Sequence, residues 1–185
     1  RLLYERFTAL GGKKGTGFIL LPCELIDYNG RNLEECCMKT AEQWGLSEEF
    51  KTWLKTENVF CSTLVDRIVT GYPRGEAESL YEEFGYRDNM LDTAEPFGLW
   101  VIEGPAWIEN ELPFKKAGCN VVFTQDVSPY KLRKVRMLNG AHTSMVLGAH
   151  LYGLETVGEC LKDEKVSALL KKCIFDEIIP TIGDT

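Results

Sequence analysis

Ser128-Pro129-Tyr130-Lys131-Leu132-Arg133-Lys134-Val135-Arg136-Met137-Leu138-Asn139-Gly140-Ala141-His142 is where the character of this sequence changes. Upstream, short β-type runs alternate with helix-type runs. Downstream, only helix-type runs follow. Ser128 then Pro129 reads as a helix start, a side-chain cap followed by a proline whose missing N–H costs nothing at the first position. From there Leu132, Val135, Leu138, Met145 and Leu151 recur at helix-compatible spacings, and Gly153 can end the helix. Thr156 to Leu161 and Val166 to Ile179 read as further helices. The fold class expected is therefore α/β followed by all-α, with residues 1–127 in the α/β part and 128–185 in the helical part.

The upstream elements follow the same logic. Gly17 to Pro22 is an apolar run that reads as a buried strand, leading through Cys23-Glu24 to a turn at Asn29-Gly30. Leu33 to Trp44 reads as a helix. Ser47 is placed to cap a second helix carrying Phe50, Trp53 and Leu54, with Glu48 and Glu49 suited to its first turn. Asn58 to Leu64, Gly98 to Glu103 and Asn120 to Phe123 read as strands.

Composition narrows the function classes. A net charge of −7 argues against general nucleic-acid binding. No run is long and apolar enough to cross a bilayer, and no secretory signal is expected. Seven cysteines, an odd number with Cys36 and Cys37 adjacent, fit a reduced cytoplasmic protein better than a disulfide framework. His142 and His150 lie eight apart with no ligand spacing around them, so no metal site is expected. The chain opens at Arg1 with Leu2, Leu3, Phe7 and Leu10 already in helical spacing, and stops soon after an apolar run and Pro180. An apolar helical face needs a partner to cover it, so both ends are expected to be cuts within a longer chain.

Chemistry concentrates in the opening stretch. At about 100° per residue, His142 lies about 80° and Asn139 about 140° around a helix from Lys134. An amine, an amide and an imidazole on one side of a helix suit carbonyl–alcohol interconversion. The amine takes the alcohol proton and returns it in reverse, while amide and imidazole hold the oxygen as its charge changes. Gly140, inside that helix at a propensity cost of about 1 kcal/mol, calls for a close approach by another backbone or a ligand. Two plainer readings stay open on spacing alone. Lys131, Arg133, Lys134 and Arg136 can be a solvated helix face, and His142 a satisfied core histidine.

Lys134-Val-Arg-Met-Leu-Asn139-Gly-Ala-His142-Thr-Ser-Met resembles the signature of the polyol-specific long-chain dehydrogenases. Two further segments match in order. Pro22-Cys23-Glu24-Leu25-Ile26-Asp27-Tyr28-Asn29-Gly30 resembles the family's Cys-acid-to-Asn-Gly segment. Phe60-Cys61-Ser62-Thr63-Leu64-Val65-Asp66-Arg67-Ile68-Val69-Thr70-Gly71-Tyr72-Pro73 resembles its Val-Asp-Arg-Ile strand end. These longer forms, with Ala94-Glu95-Pro96-Phe97, are most similar to the altronate oxidoreductase branch.

The resemblance implies the C-terminal part of a Rossmann-type domain joined to the start of a helical dehydrogenase domain. It implies NAD as cofactor, a sugar-acid substrate interconverted between tagaturonate and altronate, and catalysis without a metal. By residue, Lys134 matches the general acid–base, and Asn139 and His142 match the groups that position the reacting oxygen. The position where some relatives carry a further asparagine is Leu25, and Asn29 is the candidate to replace it. Lys131 stands where mannitol dehydrogenases have glutamate. Asp66 and Arg67 resemble an active-site polar pair, with a salt bridge as the plain alternative. A uronate carboxylate wants a guanidinium, for which Arg67, Arg74 and Arg136 are candidates. The site is expected in the cleft between the two parts.

A dinucleotide site needs a glycine-rich turn after a strand, and Gly11-Gly12 and Gly15-x-Gly17 precede one instead. The nucleotide-binding half is thus expected upstream of Arg1, and these residues alone are expected to turn over little or nothing. Three other readings are weaker. One keeps the chemistry on fructuronate or an uncharged ketose such as fructose. One is a non-catalytic helical module binding an acidic partner or nucleic acid through Lys131 to Arg136. The last is a cysteine hydrolase pairing Cys23 or Cys61 with His142.

Overall fold

The structure, a computed structural model, describes residues 1–183. Positions 184 and 185, the last two of the expected helical segment, lie outside them. The chain divides into two compact units, Arg1–Gln125 and Asp126–Thr185.

The first unit begins with α1 (Leu2–Leu10), β1 (Ile19–Leu20), α2 (Asn29–Gln43) and α3 (Glu48–Thr56). It continues through β2 (Val59–Phe60), β3 (Ser62–Asp66), β4 (Val69–Gly71), α4 (Ala77–Phe84) and β5 (Thr93–Ala94). β6 (Leu99–Glu103), α5 (Ile108–Glu111) and β7 (Val121–Thr124) complete it. β1 runs parallel to β2. β6 is the centre of the larger sheet, antiparallel to β3 and parallel to β7. The mixed strand directions and covering helices are those of an α/β domain.

Ser47 caps α3 as its sequence calls for, its Oγ accepting from the Phe50 N–H at 3.3 Å. That start turns Phe50, Trp53 and Leu54 inward against Ala41 of α2, with Leu3 and Phe7 of α1 closing the cluster. Leu54 is 0% exposed. We expect Leu54→Ala to cost about 2–5 kcal/mol, because the cavity left cannot fully collapse; chemical denaturation reads it. A second cluster, around Cys61, Ile102, Ile108 and Val121, lies at the sheet.

The strand expected over Gly17 to Pro22 is only Ile19–Leu20, and half-buried. Its neighbours still pair, Val59 N–H donating to Phe18 O at 2.9 Å and Cys61 N–H to Leu20 O at 3.0 Å. Two glycines permit this layering. A Cβ on Gly17 would fall 1.7 Å from Glu57 O, and one on Gly30 would fall 2.3 Å from Cys61 O. Only residues without a side chain let the backbones come so close.

The second unit contains α6 (Ser128–Arg133), a wide helical turn over Lys134–Asn139, α7 (Gly140–Leu151), α8 (Val157–Lys162) and α9 (Glu164–Lys172). A second wide turn covers Cys173–Ile178, and a tight one Ile179–Thr181. No strand occurs among its described residues. Ser128 does not cap α6 with its side chain; its N–H instead donates to Asp126 Oδ1 at 2.8 Å. Thr156 and Glu159 form a reciprocal cap on α8. Of the apolar residues read at helical spacing from Leu132 to Leu151, Met145 is buried but the others do not form the buried stripe. Val135, Leu138 and Leu151 are exposed, and the inward residues are Ala141, Met145 and Ala149, four apart, packed on Cys160 and Leu170.

Candidate active site

The wide turn begins at Lys134 and ends at Asn139. Its closing bond runs from the Gly140 N–H back to Val135 O, five residues earlier. In such a turn, residues five apart stand one above the other, as residues four apart do in an α-helix. The 140° separation expected for Lys134 and Asn139 on an α-helix is therefore removed, and the two side chains leave neighbouring points of one face. Asn139 and His142, three apart at the start of α7, are neighbours in turn. Asn139 and His142 are exposed and Lys134 is half-buried. His142 is thus not a core histidine, since the core side of α7 is taken by Ala141, Met145 and Ala149.

What approaches Gly140 is a side chain rather than a backbone. A Cβ there would lie 3.4 Å from Ile178 Cδ1 and 3.7 Å from Val135 O. Both are ordinary contacts. We expect Gly140→Ala to change stability by less than about 1 kcal/mol, the propensity gain offsetting the tighter fit; thermal melting checks it. Arg136, on the same wide turn, crosses to the other. Its Nη1 donates to Thr181 O at 2.7 Å and to Thr181 Oγ1 at 3.1 Å. Such carbonyls at the end of a helical run are otherwise short of donors.

In the first unit the expected polar residues separate into two roles. Asn29, the candidate to replace the asparagine absent at Leu25, is corrected by its surroundings. It is 2% exposed. Its Nδ2 donates to Pro22 O and Glu24 O at 3.0 Å and to Thr63 O at 3.1 Å, while Oδ1 accepts from the Thr63 N–H at 2.8 Å. Nothing of the amide is left to meet a substrate. Tyr28 before it has φ 50°, a left-handed conformation costly for a residue with a side chain, and that bend starts α2. Asn29 therefore ties the loop after β1 to β3.

Asp66 ends β3, and Arg67 leaves the sheet beside it. Arg67 Nε donates to Glu95 O at 3.0 Å, and Nη2 lies 3.4 Å from Pro96 O. Asp66 and Arg67 both line a cavity of about 720 Å³, together with Cys23, Phe97, Cys119 and Asn120. Arg74 is exposed on the turn after β4 and lines none of the described cavities. The pairing of β4 with β5, with α4 between them in sequence, brings Glu95 and Pro96 to Arg67. These strands are too short to leave a periodic trace, and the sequence reading did not find them.

Cys61, one candidate nucleophile, is unsuited to the part. It is 0% exposed, and burial, with the Glu103 carboxylate adding to it, pushes its thiol up to about 11. Among the described residues, no three His, Cys, Asp or Glu side chains gather as a metal-binding set. Among the described residues, no helix is long and apolar enough to cross a membrane.

Comparison with known proteins adds to this geometry. The family described as "Mannitol dehydrogenase Rossmann domain" matches residues 1–116, and "Mannitol dehydrogenase C-terminal domain" matches residues 126–184. Altronate oxidoreductase of Cronobacter sakazakii is 52% identical over 98% of this chain and 38% of that protein. That of Pectobacterium atrosepticum is 53% identical over 98% of this chain and 37% of its own length. The chain thus spans less than half the length of these curated relatives. A crystal structure of substrate-free D-sorbitol dehydrogenase matches with a TM-score of 0.78 at 26% identity, covering 99% of this chain and 36% of that one. A mannitol 2-dehydrogenase of Pseudomonas fluorescens, solved with NAD and D-mannitol, shares the fold with a TM-score of 0.63 at 24% identity, covering 96% of this chain and 35% of that one.

Proposed function

Because this chain belongs to the mannitol dehydrogenase family, we propose that it serves an NAD-dependent sugar-acid dehydrogenase interconverting D-tagaturonate and D-altronate. The observation that carries the chemistry is the wide turn Lys134–Asn139, which sets an amine and an amide one turn apart beside the exposed His142. Identity to altronate oxidoreductases across nearly the whole chain supports the substrate class.

In this reading Lys134 is the general acid–base. As neutral amine it accepts the proton of the substrate hydroxyl while that carbon becomes a carbonyl. As ammonium it returns the proton when the carbonyl is reduced. Asn139 donates its amide N–H to the reacting oxygen, and the His142 ring donates a second hydrogen bond, so the oxygen keeps fixed partners as its charge changes. NAD, as the redox partner, follows from the family's Rossmann domain. The described residues include no glycine-rich turn from a strand into a helix, so none is assigned to the dinucleotide. Their own work is on the proton and the oxygen. Seven cysteines without a disulfide among the described residues are in keeping with the reducing cytoplasm, where we place the enzyme.

The test is NADH oxidation by the enzyme carrying this sequence, with D-tagaturonate, D-fructuronate and D-fructose in parallel. We expect tagaturonate to exceed fructose in kcat/KM by about 10- to 100-fold or more, the worth of one hydrogen bond to a charged group. Preference for fructose would remove the sugar-acid assignment and leave the proton chemistry.

A further inference from the structure

We propose that the cavity of about 720 Å³ at the end of β3 takes the carboxylate end of the sugar acid, read by Arg67, and that Glu95 is the positioning residue that aims Arg67. The substrate class rests on the function proposed above; the cavity and the residues that hold its arginine do not.

Three guanidinium groups were candidates for a carboxylate. Arg136 is engaged with Thr181, and Arg74 stands on an exposed turn. Arg67 alone of the three belongs to a described cavity. It is held from one direction, by the carbonyls of Glu95 and Pro96 on Nε and Nη2. Nη1 makes no hydrogen bond among the described residues. Arginine is suited to this arrangement because its five N–H groups form a rigid fork, so fixing one edge fixes the direction of the other.

Glu95 supplies most of that hold. Its N–H donates to Ile68 O at 3.0 Å, its Oε1 accepts from the Ile68 N–H at 2.7 Å, and its own carbonyl takes Arg67 Nε. Residues 67 and 68 have by then left β3, whose last sheet partner is at Asp66. Without this clasp nothing in the sheet would fix the direction of Arg67. The Arg67 side chain lies beside Gly98 at the start of β6, where a Cβ would be in ordinary contact, 3.5 Å from Nε.

Asp66 in the same cavity sets the kind of ligand. A bare anion would be repelled by that carboxylate, whereas hydroxyls beside a ligand's carboxylate can lie against it without repulsion. Sugar acids have this combination. Acetate lacks the hydroxyls and the polyol altritol lacks the carboxylate.

Cys23 and Cys119 are exposed and line this cavity, so their alkylation reports its occupancy without any turnover. Buried Cys61 serves as the unreactive internal control. The experiment measures iodoacetamide labelling of each cysteine by peptide mass mapping, in the enzyme carrying this sequence, with D-altronate, altritol or acetate added. We expect D-altronate to slow labelling of Cys23 and Cys119 at least about fivefold, and altritol and acetate to have little effect. Arg67→Ala and Arg67→Lys should each lose the protection. Glu95→Ala should raise the D-altronate concentration for half-protection about tenfold, and Glu95→Gln, which keeps the acceptor for Ile68, should restore it. A general loss of structure in Glu95→Ala would also expose Cys61 to labelling, whereas misaiming of Arg67 leaves Cys61 unreactive. Equal protection by altronate and altritol, or protection that survives in both Arg67 variants, overturns the proposal. So does tagaturonate turnover without any protection, since the carboxylate is then read elsewhere. Protection by altronate in an enzyme that does not reduce tagaturonate would uphold the subsite and overturn the reaction assigned above.

Discussion

We expect replacement of Lys134 by alanine to lower kcat about 10²- to 10⁴-fold while substrate still binds. That range is what a positioned proton donor and acceptor contributes. The residue is half-buried on a wide helical turn, and its stem does not form the buried core of the second unit, which rests on Ala141, Met145, Ala149, Cys160 and Leu170. The variant should therefore fold, and circular dichroism with thermal melting verifies that before kinetics are compared. A fall in kcat and kcat/KM by similar factors marks an interaction made in the transition state, whereas a rise in KM alone would mean that Lys134 only binds substrate. In the proposed roles Asn139 and His142 serve the same oxygen, so the effects of Asn139→Ala and His142→Ala combined with Lys134→Ala should be far from additive.

Asn29→Ala is expected to fail in the opposite way, through stability. The substitution leaves the carbonyls of Pro22, Glu24 and Thr63 and the N–H of Thr63 without the partner they have now. Buried polar groups so stranded cost about 1–3 kcal/mol each, reduced where water or relaxation reaches them. About 3 kcal/mol overall is a reasonable sum, which corresponds to a fall in Tm of roughly 10 °C for a unit of this size. Differential scanning calorimetry measures it. An Asn29→Ala protein with unchanged Tm and abolished turnover would return Asn29 to the substrate site. Asn29→Asp is a useful companion, because it keeps the acceptor for Thr63 and loses both donors.

These two outcomes mark where the sequence was legible. Ser47 with Phe50, Trp53 and Leu54 was readable, because a capping side chain and an apolar stripe at helical spacing are local signals. The change to helix-only structure near Ser128 was readable from Pro129 and the lack of β-type runs after it, although Ser128 does not cap α6 with its side chain. The inward face of α7 was not, because small residues four apart carry little hydrophobic signal beside Leu138 and Leu151. The wide turn at Lys134 was not either. Its bonds reach back five residues rather than four, and no residue type announces that change.

The polar residues of the first unit show the same limit. Asn29 and Arg67 both look available in a string of letters. Their availability depends on backbone groups 28 to 34 residues away in sequence, Thr63 for Asn29 and Glu95 for Arg67. Those meetings are made by α2 lying against β3 and by the short β4–β5 pairing, neither of which has a local signature strong enough to read.

The most direct test of the account is chemical rescue of Lys134→Ala in the enzyme carrying this sequence. NADH oxidation with D-tagaturonate would be followed with increasing concentrations of methylamine and other small primary amines. The account predicts that the lost turnover returns in part, in proportion to free amine, and that the rate varies with the basicity of the amine added, as it must if the missing group is a proton donor and acceptor. A folded Lys134→Ala enzyme that turns over within about threefold of the unsubstituted one, with or without amine, would contradict it.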